Sequence, residues 1–97
     1  MAKKIIWSQT AHNDRKGILA YWKKRNKSDA YSIKLFALFK DSAATISIYP
    51  EFGIATQKKN IRFTIVKDYL IFYAIETDYI KILRIWDSRQ NPVSLKL

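Results

Sequence analysis

Polar and apolar positions change their spacing twice along this chain, and the changes divide it into elements. Lys3 to Trp7 reads as a short strand, ended by the polar run Ser8-Gln9-Thr10. Ser8 or Thr10 is placed to cap a following helix, its side-chain oxygen accepting from an unpaired backbone N–H. That helix is expected from about Gln9 to about Lys27, with Ala11, Ile18 and Trp22 on one face and Leu19 and Tyr21 beside it. Arg15, Lys16, Lys23 and Lys24 point mostly elsewhere, as a solvated face would. Gly17 weakens the middle of the helix, and nothing in the sequence explains it.

Asn26-Lys27-Ser28-Asp29 breaks the pattern, with Ser28 or Asp29 as the next cap. A second helix follows from about Ala30 to about Ile48. It carries two apolar stripes, Ile33, Phe36, Ala37 and Ala44 in one and Leu35, Phe39 and Ile46 in the other. Two stripes predict burial on two sides, against the first helix and against a sheet. Pro50 and Gly53 stop the helix.

Beyond the polar loop Gln57-Lys58-Lys59-Asn60 the period becomes two. Ile61 to Val66, Tyr69 to Glu76 and Tyr79 to Asp87 form three runs, separated by Lys67-Asp68 and Thr77-Asp78. Strands joined by tight polar turns make an antiparallel meander. The element order is β-α-α-β-β-β, an α+β fold with a helical hairpin across one face of a small antiparallel sheet. The other face stays partly open.

The 97 residues are expected to form one domain, 1–97, with no linker or repeat, and 48% hydrophobic residues suffice for one core. The apolar run behind Lys3-Lys4 is too short for a secretory h-region of roughly 7–15 residues. No stretch approaches the roughly 20 apolar residues of a membrane span. Without cysteine there are neither disulfides nor thiolate metal sites, and a cytoplasmic location is expected.

Eighteen Lys and Arg against eight Asp and Glu give a net charge of +10. Such an excess attracts a polyanion: nucleic acid, an anionic membrane or an acidic protein segment. No basic amphipathic helix stands apart from a core-forming face, which argues against the membrane. Phosphate-cradling glycine loops are missing, one histidine cannot make a zinc site, and no spacing supports Ser-His-Asp catalysis. No cofactor, metal or small-molecule substrate is therefore expected.

Several short motifs in this order resemble the RelE/ParE family of type II toxin–antitoxin toxins. They are Ile6-Trp7-Ser8 ahead of a helix with Ala11, Asp14, Ile18 and Tyr21, and then Tyr49-Pro50-Glu51-Phe52-Gly53. Arg62 leads into Tyr69-Leu70-Ile71-Phe72-Tyr73, and Ile82 to Pro92 resembles the family's ending of strand, basic residue and polar turn. The resemblance implies a growth-inhibiting toxin neutralised by a cognate acidic antitoxin. It also implies one of two mechanisms: ribosome-dependent cleavage of messenger RNA, or ParE-like poisoning of DNA gyrase, which needs no catalytic chemistry in the toxin. A shared fold cannot choose between them.

Metal-free RNA cleavage needs an activated 2′-hydroxyl, a protonated leaving oxygen and a stabilised phosphorane. Lys58, Lys59, Arg62, Arg84 and Arg89 lie on or beside the sheet and are the candidates for binding a target or nucleic acid. The faces of Arg62 and Arg84 are not fixed by the pattern. The acid–base set is thin. Leu70 stands where nuclease-type members often have arginine, and Asp87, Ser88 and Asn91 stand where they tend to have His or Tyr. His12 lies in the first helix, and Tyr69, Tyr73 and Tyr79 are expected to pack. No catalytic residue is assigned, so enzymatic activity stays open. The ending Arg84-Ile85-Trp86-Asp87-Ser88-Arg89 resembles ParE-like members better, so a gyrase poison is the leading reading. A RelE-like nuclease, or a non-catalytic nucleic-acid-binding module, are the alternatives.

The positive surface suits capture of an acidic, partly disordered segment. The edge of the meander offers a place for strand addition. Ile18, Trp22 and Phe36 are candidate antitoxin contacts, although apolar stripes ordinarily face inward.

Overall fold

The structure is a computed structural model and describes residues 2–90, 95 and 97. β1 (Lys4–Trp7) leads into α1 (Gln9–Asn26) and α2 (Ala30–Ile48). A 3-10 turn (Pro50–Phe52), β2 (Ile54–Ala55), β3 (Ile61–Val66), β4 (Tyr69–Ile75) and β5 (Tyr79–Asp87) follow. The sheet runs β1-β5-β4-β3-β2. The expected meander forms its middle. The sheet is mixed rather than purely antiparallel, because β1 pairs parallel with β5, from Lys4 opposite Tyr79 to Trp7 opposite Ile82. A four-residue strand carries no sign of its pairing direction, and this partner lies some seventy positions away in sequence, as its register shows.

Ser8 does three jobs at the junction of β1 and α1. Its N–H donates to Ile82 O at 2.9 Å, its hydroxyl donates to Leu83 O at 2.9 Å, and its Oγ accepts from Ala11 N at 3.0 Å. One residue thereby caps the helix and anchors it to β5. Leu83 is also where β5 breaks step. Tyr73 pairs with Ile82 but Phe72 pairs with Arg84, which leaves Leu83 as the extra residue of a bulge. The bulge shifts the phase, so Ile80, Ile82 and Ile85 all join Tyr69, Ile71 and Tyr73 in the core. Arg84 and Trp86 pair with Phe72 and Leu70, the residues that alternate with that core set.

α2 departs from expectation. Leu35, Phe39 and Ile46 are buried, as one stripe predicted, and Ala43 is buried with them. The other stripe is not: Ile33 is 66% exposed and Phe36 44%, and Ala37 and Ala44 are exposed too. α2 is therefore buried on one side only. The helices touch through positions such as Leu19, whose carbonyl accepts from Ser32 Oγ at 2.7 Å, and the outer stripe of α2 is left without a cover. Ser28 Oγ accepts from Ala30 N at 3.2 Å, while Asp29 makes no side-chain cap.

Candidate interaction site

β1 ends opposite Ile82, so β5 from Leu83 onward has no strand on its outer side among the described residues. Asp14 of α1 fills that gap. Its Oδ2 accepts from Ile85 N at 3.1 Å and from Arg84 Nε at 3.0 Å, and its Oδ1 accepts from Arg84 Nη2 at 3.1 Å. The carboxylate thus satisfies a strand amide while holding a guanidinium in a two-pronged grip. Both side chains are mostly shielded, at 22% and 17% exposure. The Arg84 guanidinium also lies 5.3 Å from the Trp86 ring centre. Trp86 is buried, and its Nε1 has no hydrogen-bond partner among the described residues.

Arg89 sits just past the strand end. Its Nε and Nη2 donate to Asp87 Oδ1 and Oδ2 at 3.0 and 2.8 Å. The side-chain hydrogen bond from Arg89 is the largest cause holding the Asp87 carboxyl below the usual carboxylate range, and the same bond is the largest cause raising the Arg89 guanidinium.

Arg62 is elsewhere. Its Nη1 donates to Gly53 O at 2.8 Å and Glu51 O at 3.4 Å. The turn it holds is also tied by Tyr73, whose hydroxyl donates to Pro50 O at 2.7 Å and accepts from Gly53 N at 2.9 Å. Burial pushes the Tyr73 hydroxyl up from its ordinary value, and burial does the same to Tyr69. Tyr69 accepts from Trp22 Nε1 at 2.8 Å. Both tyrosines are core residues, as expected, and their oxygens are committed to internal bonds. Tyr79 is half-buried at the start of β5.

The five basic candidates therefore do not converge. Arg84 and Arg89 flank one groove at the outer end of β5, whereas Arg62 lies on β3 beyond the intervening β4. Lys58 and Lys59 are exposed in the loop before β3. His12 is exposed on α1, where its Nδ1 accepts from Arg15 Nη2 at 3.3 Å. Asn91 and Pro92 lie outside the described residues.

Ile18, Trp22 and Phe36 also separate. Ile18 lines the groove between α1 and β5, about 450 Å³ in volume, with Gly17, Tyr21 and Arg89. Phe36 lines a second groove of about 360 Å³ on the helical hairpin, with Trp7, Arg15 and Lys40. There the Arg15 guanidinium stacks 4.3 Å from the Trp7 ring centre and 5.4 Å from that of Phe36. Trp22 is spent on Tyr69 and packs edge-on against Tyr31 at 4.9 Å. Asp14 and Asp87, which organise the basic residues, were missed as partners. Asp14 appeared only as part of a motif, and an acid in a helix gives no sign that it pairs with an arginine seventy residues away.

Comparison with known proteins places the fold. The family model of the ParE toxin of the type II toxin–antitoxin system parDE matches residues 5–92. The chain belongs to the ParE toxin family. Among solved structures it is similar to a chain of the chromosomal ParDE toxin–antitoxin system from P. aeruginosa. That match has a TM-score of 0.74 and 13% identity, and covers 89% of this chain and 96% of the other. A chain of the E. coli DinJ–YafQ toxin–antitoxin complex also matches, with a TM-score of 0.47 and 12% identity, over 90% of this chain and 93% of the other. No curated protein sequence matches the chain. Among the described residues no helix is long and apolar enough to cross a membrane.

Proposed function

We propose that this chain is a growth-inhibiting toxin that acts on DNA gyrase without catalytic chemistry of its own, and that an acidic antitoxin holds it inactive. The family match over residues 5–92 carries the toxin reading. The choice of gyrase over messenger RNA is favoured by how the chemically able side chains are spent. Arg84 and Arg89 are each gripped by a carboxylate, Arg62 by two carbonyls, and Tyr69 and Tyr73 by buried hydrogen bonds. A general acid or base must instead reach its substrate.

The antitoxin's place is supported by the uncovered stripe of α2. Ile33 and Phe36, rimmed by Lys23, Arg15 and Lys40, suit the apolar face of an acidic amphipathic helix. The +10 charge speeds capture of such a partner.

The test uses refolded protein in two assays, gyrase supercoiling and reconstituted translation read by primer extension. Inhibited supercoiling with intact message is expected. Discrete cuts appearing only on ribosomes would replace the gyrase reading with ribosome-dependent RNA cleavage. The antitoxin is found by co-expressing products of adjacent reading frames and scoring restored growth.

A further inference from the structure

The outward face of α1 is basic along most of its length and carries no apolar side chain larger than alanine. Ala11, Ile18 and Trp22 turn inward, so at about 3.6 residues per turn the opposite side carries Gln9, Asn13, Lys16, Ala20, Lys23 and Lys24, with Lys27 at its end. Each of these is exposed. The one acid of α1, Asp14, is turned to β5, and Lys16, Lys24 and Lys27 make no ion pair among the described residues. Ala20 lines an open depression of about 550 Å³ together with Lys23, Lys24 and Lys27.

Helix electrostatics explains only part of this charge. Cations in a last turn complement the helix dipole, which accounts for Lys23, Lys24 and Arg25. It does not account for Lys16, two turns earlier, nor for the residue that closes the helix. Lys27 stands at φ 51° and ψ 33°, in the left-handed region where glycine is usual and a side chain is strained. A lysine held there places charge above stability.

We propose that the outward face of α1 binds the phosphate backbone of a nucleic-acid duplex without reading its sequence, through Lys16, Lys24 and Lys27, with Ala20 admitting the backbone between them. Protein interfaces are built round apolar anchors and are poor in lysine, and this face offers no such anchor. A phosphate backbone asks only for spaced cations and a close approach. Lys16 to Lys27 covers about 16 Å of helix axis, or about five steps of a duplex. Lys23 is held by Asp29 at 3.4 Å, an exposed pair that a phosphate can replace. The face is distinct from the Ile33–Phe36 stripe of α2, and its assignment holds whichever target the toxin reaches.

The experiment measures fluorescence anisotropy of labelled DNA and RNA duplexes of about 20 base pairs over a range of salt. Wild-type chain is compared with Lys16→Gln/Lys24→Gln, with Lys67→Gln/Lys81→Gln and with Lys27→Gly. For wild type, the logarithm of the affinity is expected to fall with the logarithm of the salt concentration at a slope of about −3. The helix pair should flatten that slope by about 2 and weaken binding at least about tenfold. The sheet pair removes the same charge from exposed positions elsewhere and should stay within about twofold. Lys27→Gly should melt about 2–8 °C higher yet bind about threefold more weakly, which a purely structural lysine would not do. Binding of either duplex supports the face, and the tighter one names the source of the backbone. Equal losses from the two double variants would reduce the binding to net charge and overturn the proposal. Poly-glutamate bound more tightly than both duplexes would overturn it in favour of an acidic protein segment, and absence of wild-type binding at low salt would overturn it outright. The gyrase and antitoxin readings are untouched by any of these results.

Discussion

Asp14 accepts the amide of Ile85 at 3.1 Å and so takes the place of a neighbouring strand at the point where β1 has run out. The same carboxylate holds Arg84, which leaves β5 on the side of Phe72 and Trp86. Helix, strand edge and guanidinium are therefore joined through one side chain, and α1 is docked on the sheet by a polar contact as well as by Ala11 and Ile18.

Removing that side chain is expected to be costly. Asp14→Ala strips a shielded arginine and a strand amide of their acceptor, and a loss of about 2–3 kcal/mol is expected from partly buried, charge-assisted bonds. Asp14→Asn keeps an acceptor for Ile85 and should lose less. Urea denaturation of both variants, combined with Arg84→Ala in a double-mutant cycle, measures the coupling. Additive effects would mean that Asp14 and Arg84 do not act as a pair.

Tyr73 and Gly53 form a second such unit. Tyr73→Phe leaves Pro50 O and Gly53 N without their shared hydroxyl, for an expected cost of about 1–3 kcal/mol. Gly53 has an ordinary φ of −72°, so backbone strain is not its reason. A Cβ there would lie 2.5 Å from the Tyr73 hydroxyl and 2.7 Å from Phe63 O. Gly53→Ala is expected to destabilise by about 1–3 kcal/mol through crowding. The crowding should ease in the double variant with Phe at 73, and thermal melts of the three proteins test this.

These two units show what the sequence disclosed and what it hid. The helix and meander boundaries followed from local periodicity, because amphipathic spacing and turn residues are local signals. The parallel β1–β5 pair and the pairing of Asp14 with Arg84 depend on contacts across seventy or more residues, and the Leu83 bulge is a shift of register against β4 that alternation within β5 does not signal. The bulge alone moves Ile85 to the core side against the simple alternation of β5. The outer stripe of α2 misled for another reason: an apolar face reads the same whether the chain or a partner covers it.

Acid and alkali should act on different residues. The Asp87 carboxyl is held low by Arg89, so its contribution is present above the ordinary carboxylate range and is lost as pH falls through its depressed folded value. Asp87→Asn should therefore approach wild-type stability at acid pH and differ most near neutrality. Tyr73 and Tyr69 are raised by burial, so their contribution is present below about 10 and lost as pH rises towards their folded values. Tyr73→Phe should show a shallower alkaline limb than wild type. Melts across pH, with tyrosinate absorbance as reporter, check both; an alkaline limb as steep in Tyr73→Phe would remove Tyr73 from the account.

The exposed stripe of α2 gives the last test. Ile33→Asp changes a side chain that is 66% exposed and should move stability by no more than about 0.5 kcal/mol, whereas Phe36→Asp removes a ring that is 44% exposed and stacked by Arg15 and should cost about 1 kcal/mol. Burial of either position under an antitoxin helix would place the new carboxylate in an apolar contact beside an acidic partner, where it is both desolvated and repelled. The variants are therefore expected to remain folded and toxic yet escape neutralisation, so that co-expressed antitoxin no longer restores growth. Rescue as complete as for wild type would mean that the antitoxin leaves this stripe bare. Loss of toxicity in a folded variant would instead assign the stripe to the target.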